Sequence, residues 1–303
     1  MSDVKELDDS VDGPLSGIRV VDLTSMISGP VATMMLADQG ADVIKVESLS
    51  GDLVRGAGPN RSGITSTFIS SNRSKRSLAL DLKAPEGAEI LRDLLRTADV
   101  LVQNFRPGTI ERMGFGEDAV RALREDIIYV SISGFGETGP FAHQRVYDPV
   151  IQALSGLAAI QADGQSGRPK MIRTIIPDKT TAVTAAQAIT AALFARERTR
   201  KGQHVKLAML DTMVSYLWPE GMAGMTLVGR EVQAQRAQLA KVANGLAETM
   251  LIIGQIGDLR AHMKMQQTHT VLQIGRPEGI DHAQQLGGRQ PELGLLAAGV
   301  GPL

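Results

Sequence analysis

A Pro-Asp pair, Pro177-Asp178, directly precedes a long run with few helix-breaking residues, Lys179 to Arg198. The run is rich in alanine and its apolar residues recur at helical spacing, which predicts a helix packed on the core. These apolar residues are Val183, Ala186, Ile189, Ala192 and Leu193. Asp178 is therefore expected at the N-cap, where its carboxylate faces free backbone N–H groups and the positive end of the helix dipole. Such a carboxylate is either only a cap or, held ionised at low cost, available as a nucleophile.

A second candidate is the segment Gly134 to Gly139, GFGETG, which has the G-x-G-x-x-G spacing of dinucleotide-binding loops and follows a predicted strand. In such sites the last glycine opens a helix whose N-terminus receives the pyrophosphate. Here Pro140 follows, and the next helical stretch begins only near Tyr147 or Asp148. We therefore interpret the segment as a glycine-rich turn, and a nicotinamide-dependent dehydrogenase ranks last among the functions considered.

Metal and hydrolytic sites find little support in the sequence. The absence of cysteine excludes disulfides and thiolate sites. The five histidines show no HExxH or comparable spacing, and His143 and His204 fall in predicted loops, where solvated side chains are expected. The G-x-S-x-G motif of many serine hydrolases is also missing. We therefore expect no metal and no Ser-His-Asp hydrolysis.

Two polar segments are candidates for contact with a ligand. Arg73, Lys75 and Arg76 precede an apolar run and could bind phosphate, although such residues more often form a solvated face. The segment Asn104 to Gly108 follows the carboxyl end of a predicted strand, where ligands of open α/β sheets bind. Its position gives it more weight than an ordinary turn.

Length and composition indicate a globular protein. The chain has 303 residues, 43% hydrophobic and 21% charged, which is enough for one large domain or two smaller ones. A net charge of −1 gives no argument for a nucleic-acid partner, and no apolar run approaches the length that spans a bilayer. Residues 1–13 are acidic, unlike a signal or transit peptide, and predict a short disordered lead-in. We therefore expect a cytoplasmic protein without a nucleic-acid or membrane partner.

Short β-rich runs alternate with helical patterns along the next 200 or so residues. Strands are predicted at 18–23, 41–46, 98–102, 127–132 and 205–209, and helices at 31–39, 86–97, 117–124 and 148–159. This alternation predicts the α/β class, with an open parallel sheet covered by helices on both faces. The large domain is assigned to residues 14–218.

The composition changes after Trp218. Residues 219–303 contain no Phe, Tyr or Trp, although aromatic residues contribute strongly to most cores. Only 231–243 has a plausible helical pattern. We therefore assign 219–303 to a linker and an incomplete or divergent second domain. Our hypothesis is that the sequence after about Ala240 is divergent, truncated or read out of frame, which sequencing of the encoding DNA would test.

An ordered series of segments resembles the family III CoA-transferases, the CaiB/BaiF family. The series runs without large gaps from about Pro14 to Trp218, and the ordered set is far more specific than any one segment. The segments are PLSGIRVVDLT with Gly29-Pro30, ADVIKVE with Gly51-Asp52, NRSKRSLALDLKAPEG, ADVLVQNFRPGTIERMGF, ISGFGETGP, YDPVIQALSG and TRKGQHVKLAMLD. The resemblance implies a Rossmann-like large domain, a smaller second domain and a homodimer with interlocked chains.

The same resemblance implies transfer of CoA from one carboxylate to another. Asp178 matches the family's catalytic aspartate, whose carboxylate would attack the donor thioester and give a mixed anhydride and CoA thiolate. The thiolate would then form an aspartyl-CoA thioester, which the acceptor acid attacks. Asp148 would orient Asp178 or bind the acceptor, or it is only a helix cap.

Other family positions imply contacts with CoA, the substrate that takes the place of a cofactor. Cations for its phosphates match Lys83, Arg112 and Arg145, and pocket-lining positions match Leu80, Asn104, Phe105, Met113 and Tyr147. Met26, Ile27 and Ser28 occupy the loop beside the thioester but differ from the residues of the formyl-CoA enzyme, so formyl transfer is not favoured.

Two alternatives stay open. The family includes α-methylacyl-CoA racemases, which use a His-Asp pair where this chain has Tyr147-Asp148. A phenol with an unperturbed pKa of about 10 is a poor base at neutral pH, so the transferase is favoured. A catalytically defective CoA-binding protein is the other alternative, because the second half expected of the family is incomplete or divergent in this sequence. The acyl donor and acceptor are not specified by the sequence.

Overall fold

The computed structural model describes residues 13–221 and a two-residue strand further along, Gln273–Ile274. The predicted lead-in, the helix at 231–243 and almost all of the assigned second domain lie outside the described residues. Within the described part, no helix combines the length and the hydropathy that a bilayer crossing requires.

Six strands form a parallel sheet in the order β5-β2-β1-β6-β7-β8, which confirms the predicted open parallel sheet. The strands are β1 (Arg19–Asp22), β2 (Asp42–Glu47), β5 (Arg76–Ala79), β6 (Val100–Gln103), β7 (Ile128–Ser133) and β8 (Gln203–Ala208). In the sequence, β2 and β5 are separated by a small antiparallel hairpin of β3 (Asn60–Arg61) and β4 (Ile64–Thr65), which is a separate sheet. The strand β9 (Gln273–Ile274) pairs antiparallel with β8.

Helices cover both faces of the sheet. They are α1 (Ser28–Ala37), α2 (Ser66–Asn72), α3 (Pro85–Thr97), α4 (Thr109–Arg112), α5 (Glu117–Leu123), α6 (Asp148–Leu154), α7 (Leu157–Ile160), α8 (Ile176–Thr199) and α9 (Met209–Tyr216). One core cluster joins the sheet to α1 and α8, and a second joins it to α3 and α5. Side chains alternate along a strand, so β7 sends Val130 to the first cluster and Tyr129 to the second.

Small side chains let α8 lie close to α1 and the sheet. Its buried stripe includes Ala182, Ala185, Ala186 and Ile189, which recur at helical spacing. The sequence pattern also placed Val183 in the core, and this prediction is wrong, because the side chain is 54% exposed. The stripe begins one residue earlier, at Ala182, which turns Val183 toward solvent.

Other segments differ from the prediction in detail. The helix expected at 148–159 is split into α6 and α7, because Gly156 adopts a left-handed conformation between them. The short helices α2 and α4 were not predicted, and α9 begins directly where β8 ends. No helix starts at the end of the segment Gly134–Gly139, since α6 begins only at Asp148, so its interpretation as a turn is confirmed.

Candidate active site

The candidate site lies at the carboxyl edge of the sheet. Parallel strands end at a common edge, so the loops after β1 and β6 meet there. Helix α1 starts at this edge because it follows β1, and α8 starts there because it leads back to the beginning of β8. These two helices pack against each other, which brings their N-terminal turns together.

Asp178 lies in the first turn of α8, at its third residue, and not at the N-cap as predicted. The helix starts two residues earlier because Ile176 and Pro177 already have helical geometry, and Pro is well suited to the first turn. The hydroxyl and the backbone N–H of Ser28 instead act on the carboxylate and favour its ionised form, which lowers its pKa. Ser28 is the first residue of α1, so Asp178 satisfies a free N–H at the start of a neighbouring helix.

Asp148 performs the same task for α8. Its side chain is buried, and its Oδ2 accepts a hydrogen bond of 3.2 Å from the backbone N–H of Asp178. Oδ1 accepts a hydrogen bond of 2.6 Å from Nε2 of Gln152, one turn further along α6. Asp148 thus contacts the backbone of Asp178 directly and fixes the start of α8 in place.

The carboxyl group of Asp178 does not ionise as easily as predicted. Burial raises its pKa to about 6 and the charge of Asp148 adds to this effect, whereas the two hydrogen bonds from Ser28 act in the opposite direction. The proximity of a helix N-terminus and two donors therefore does not compensate for the loss of solvent. At pH 7 roughly nine in ten molecules still carry the carboxylate. The group is ionised, half-buried and chemically available.

The loop between β1 and α1 brings further predicted residues to the site. Asn104, just past β6, accepts a hydrogen bond of 3.0 Å from the backbone N–H of Ser25 and returns one of 2.9 Å to its carbonyl oxygen. Met26 and Ile27 follow and lead directly into Ser28. The structure therefore brings Asn104 to the start of this loop and Ser28, at its end, to Asp178.

The remaining predicted CoA-contact residues fall into two groups. Leu80 is buried, and Phe105 and Met113 pack against the same cluster on the α3 and α5 side of the sheet. The predicted cations Lys83, Arg112 and Arg145 are exposed on the surface, as is Tyr147. A cavity of about 270 Å³ opens beside Phe105. Its lining includes Gln103, Gly108, Glu111, Ser131 and Glu137.

The structure gives no support to the phosphate-patch alternative, because the three basic side chains pair with carboxylates. Lys75 is 2% exposed at its side chain, and its Nζ lies 2.9 Å from Oδ2 of Asp22. Arg73 and Arg76 pair with Asp38 and with the Asp42 carboxylate, and they are solvated as the alternative interpretation expected. Lys75 does not belong to a solvated face, because its side chain is buried and its Nζ also donates a hydrogen bond to the carbonyl oxygen of Pro30.

His204 also contradicts its prediction, because it lies within β8 and is largely buried. Its Nε2 is 2.8 Å from Oγ of Ser131, and its Nδ1 is 2.5 Å from Oε2 of Glu117. Burial lowers the pKa of the imidazole, so the neutral ring links the two groups. His143, in contrast, is exposed in the loop before α6, as predicted.

Glu117, His204 and Ser131 contact one another in the acid–base–nucleophile sequence of a hydrolytic triad. The surroundings of Ser131, however, do not fit such a triad. Ser131 lies inside β7, and its backbone is paired with β6 on one side and with β8 on the other. A nucleophilic serine normally sits on a sharp turn that leaves nearby backbone N–H groups free for an oxyanion. We therefore interpret the three residues as a buried polar network.

No group of three His, Asp or Glu side chains between residues 13 and 221 could hold a metal ion.

Comparison with known proteins identifies the family of the chain. The family described as CoA-transferase family III matches residues 15–249. Succinate–glutarate CoA-transferase of Agrobacterium fabrum is 40% identical over 217 residues, which cover 69% of this chain and 54% of the relative. Succinyl-CoA:mesaconate CoA-transferase of Haloarcula hispanica is 44% identical over 213 residues, covering 67% and 53%. The chain thus spans about half the length of the curated relatives it matches.

Solved structures show the same relationship. The crystal structure of a CaiB/BaiF family protein from Brucella suis has a TM-score of 0.67 to this chain at 37% sequence identity. The similarity covers 70% of this chain and 57% of that one. The fold and the order of the elements described above are therefore shared with a protein of this group.

Proposed function

Because the chain belongs to CoA-transferase family III, we propose that it transfers CoA from an acyl-CoA to a carboxylic acid, with Asp178 as the nucleophile. The carboxylate of Asp178, half-buried at the carboxyl edge of the sheet and held by Ser28 and Asp148, is the observation that carries this proposal. Its sequence position is the one that matches the family's catalytic aspartate. A group that titrates near pH 6 is ionised at neutral pH and remains basic enough to attack.

The proposed reaction proceeds in four exchanges at Asp178. A carboxylate oxygen attacks the thioester carbonyl, the C–S bond breaks, and an acyl-aspartyl anhydride and CoA thiolate form. The thiolate then attacks the aspartyl carbonyl, which releases the donor acid and leaves an aspartyl-CoA thioester. The acceptor carboxylate attacks this thioester, and the thiolate set free attacks the acceptor side of the new anhydride. The new acyl-CoA leaves and the Asp178 carboxylate is restored.

Each of the following residues has a separate role in this scheme. Ser28 would hold one carboxylate oxygen through its N–H and O–H, so that the other oxygen faces the thioester. Asp148 would keep the backbone of Asp178 in place. Phe105 and Met113 would contact the apolar part of CoA, and the exposed cations Lys83, Arg112 and Arg145 would bind its phosphates.

We further propose dicarboxylic acids as substrates, because the names of the two relatives above include succinate, glutarate and mesaconate. The homodimer implied by the family resemblance also belongs to this proposal. Sedimentation velocity on the full chain measures it directly, and a monomer at all protein concentrations would contradict it.

Mass measurement of a trapped intermediate tests the proposed chemistry. The protein is incubated with succinyl-CoA, acetyl-CoA and related thioesters, treated with hydroxylamine, and measured intact and as peptides. We expect a CoA thioester without hydroxylamine and a hydroxamate with it, both on Asp178. Binding of CoA without any adduct would instead support a catalytically defective binder. Deuterium uptake at the α-carbon of a 2-methylacyl-CoA would support a racemase.

The pH dependence of adduct formation follows from the pKa of Asp178. Only the ionised carboxylate attacks, and its pKa is raised to about 6 by burial and by Asp148. We expect the rate to rise about tenfold from pH 5 to pH 6.5 and to level off above pH 7. Quenched samples measured by mass spectrometry give this profile. A rate that is flat down to pH 4.5 would show that Asp178 titrates normally or does not attack.

Removal of a proposed phosphate contact should weaken CoA binding without affecting the fold. Arg112→Ala and Arg145→Ala are each expected to raise the Kd for CoA about tenfold, since a charge-assisted contact is lost. Both side chains are exposed, so the melting temperature should stay unchanged. Arg198→Ala is the matched control, because this exposed arginine lies at the opposite end of α8 from Asp178. Equal Kd values for all three variants in calorimetry would refute the assignment.

A further inference from the structure

The loop that carries Ser28 contains a backbone conformation that side-chain-bearing residues rarely adopt. Met26 has a φ of 69°, in the left-handed region where glycine is favoured. Such a conformation persists only where surrounding contacts impose it. The contacts at Met26 therefore show what determines the shape of this loop.

Asp52 supplies the contact that holds Met26. Its Oδ1 accepts a hydrogen bond of 3.2 Å from the N–H of Met26 and one of 3.1 Å from the N–H of Val54. Oδ2 lies 3.0 Å from Nζ of Lys45, and both side chains of this ion pair are 1% exposed. Lys45 in turn donates a hydrogen bond of 2.8 Å to the carbonyl oxygen of Thr24. The buried pair thus holds the loop at two points.

The loop has little freedom to compensate if these contacts are lost. Gly29 lies so close to Thr24 that a Cβ atom on it would be 2.4 Å from the threonine side chain. Residues 24–29 therefore form a tight loop in which Gly29 packs against Thr24, with Met26 at the turn. Ser28 lies between these points, so its N–H and O–H point where the turn directs them. In the structure both groups act on the carboxylate of Asp178 and favour its ionised form.

We propose that Asp52 is a positioning residue for Asp178: by imposing the left-handed turn at Met26, it aims the two donors of Ser28 at the nucleophile. The role assigned to Asp178 rests on the proposed function, whereas the link from Asp52 through Met26 and Ser28 rests on the contacts alone. The groups that act on the Asp178 carboxyl are Ser28 and the negative charge of Asp148. Of these two, Asp52 controls only Ser28.

A pair of double variants tests the acceptor oxygen that the proposal requires, which binds the N–H groups of Met26 and Val54. Lys45→Met with Asp52→Asn removes both buried charges and keeps an oxygen that can accept from Met26. Lys45→Met with Asp52→Leu also removes both charges but has no acceptor. The readout is the titration of the Asp178 carboxyl by NMR of ¹³C-labelled aspartate, with the signal assigned by its loss in Asp178→Asn.

The two variants should differ in the ionisation of Asp178. The hydrogen bonds from Ser28 favour the carboxylate, so their loss should raise the midpoint of Asp178 by about one pH unit in the leucine variant. The asparagine variant should titrate near the unaltered protein. Equal midpoints in two folded variants would overturn the proposal, because a pair needed only for stability would not distinguish them.

A second pair of variants leaves the ion pair intact, should the leucine variant fail to fold. Met26→Pro excludes a positive φ and removes the N–H that Asp52 accepts, whereas Met26→Gly keeps both. The midpoint of Asp178 should rise in the proline variant only, and equal midpoints would again overturn the proposal. The titration needs no turnover. If it shows the expected differences while the unaltered protein forms no CoA adduct, the proposed function fails and the positioning role stands.

Discussion

Replacement of Asp178 by asparagine is expected to lower the rate of CoA-adduct formation by at least about a thousandfold. The amide has nearly the shape of the carboxylate and can still accept a hydrogen bond from Ser28, so the site should keep its structure. It is a very poor nucleophile, and an anhydride cannot form on it. The affinity for free CoA should change less than about twofold, because the proposed phosphate and pantetheine contacts lie elsewhere. Rapid quenching with mass detection and calorimetry measure the two quantities.

Two other aspartates provide controls for this loss. Asp148→Asn keeps an oxygen that accepts from the N–H of Asp178 and removes the negative charge that raises its pKa. This variant should still form the adduct, with the rise in rate shifted to lower pH. Asp163→Asn changes an aspartate in the loop between α7 and α8 whose carboxylate binds Lys170 and Ser166, and it should behave as the unaltered protein. An Asp178→Asn protein that retains turnover would contradict the role of nucleophile.

Five of the six parallel strands could be predicted from the sequence because they are largely buried, whereas the edge strand β5 is mostly exposed and was not predicted. Runs such as Ile127–Ile132 and Ala98–Val102 are apolar almost throughout, which is the pattern of a parallel sheet covered on both sides. The predicted bounds differ from the observed strands by one or two residues. The start of α8 was less certain for a physical reason: Pro177 and Asp178 suit either the N-cap region or the first turn, and local sequence does not distinguish the two.

Contacts between distant polar residues could not be derived in this way. The sequence drew attention to Asp178, but its partner Ser28 precedes it by 150 positions and reaches it only because α1 and α8 pack together. Lys75 and His204 were assigned to the surface, since charged and polar residues most often lie there. Each is buried because a specific acceptor, Asp22 or Glu117, meets it in the folded chain. No spacing in the sequence records these pairs.

The second large effect is expected at the buried pair of Asp22 and Lys75, where Lys75→Met should lower the free energy of unfolding by about 3–5 kcal/mol. Asp22 is completely buried and accepts hydrogen bonds of 2.9 Å from Lys75, of 2.5 Å from the hydroxyl of Thr24 and of 2.7 Å from that of Thr33. Loss of the ammonium leaves a carboxylate that no solvent reaches. Urea unfolding at pH 7, followed by circular dichroism, measures the loss.

The matched control for this loss is Arg73→Met, two residues earlier in the chain, which breaks an ion pair with Asp38. The side chain of Arg73 is 52% exposed, so water already screens its charge. Its removal should cost less than about 1 kcal/mol. The double variant Lys75→Met with Asp22→Asn should recover part of the loss, because no unpaired charge remains buried. Equal losses for Lys75→Met and Arg73→Met would contradict the expected difference between a buried and an exposed pair.

The acid stability of the protein gives an independent measure of the same pair. Burial alone would raise the pKa of Asp22, but the charges of Lys75 and Lys45 and the hydroxyls of Thr24 and Thr33 outweigh it and lower the pKa from 3.8 to about 2. The unfolded chain therefore binds this proton more readily than the folded one. The carboxylate contributes roughly 2 kcal/mol above pH 4, and this contribution is lost as the pH falls through 2.

In Lys75→Met the largest attraction on Asp22 is absent, so its pKa in the folded protein should rise and the midpoint of acid unfolding should move to higher pH. Burial lowers the pKa of Lys75 itself, because desolvation outweighs its attraction to Asp22, so the shift of the lysine adds no stability. The loss of the Lys75 side chain should also affect the candidate site, because Lys75 donates a hydrogen bond of 2.8 Å to the carbonyl oxygen of Pro30 in the first turn of α1. Acid titrations of the unaltered protein and of Lys75→Met, run side by side, test this shift, and coincident midpoints would exclude a stabilising pair at Asp22.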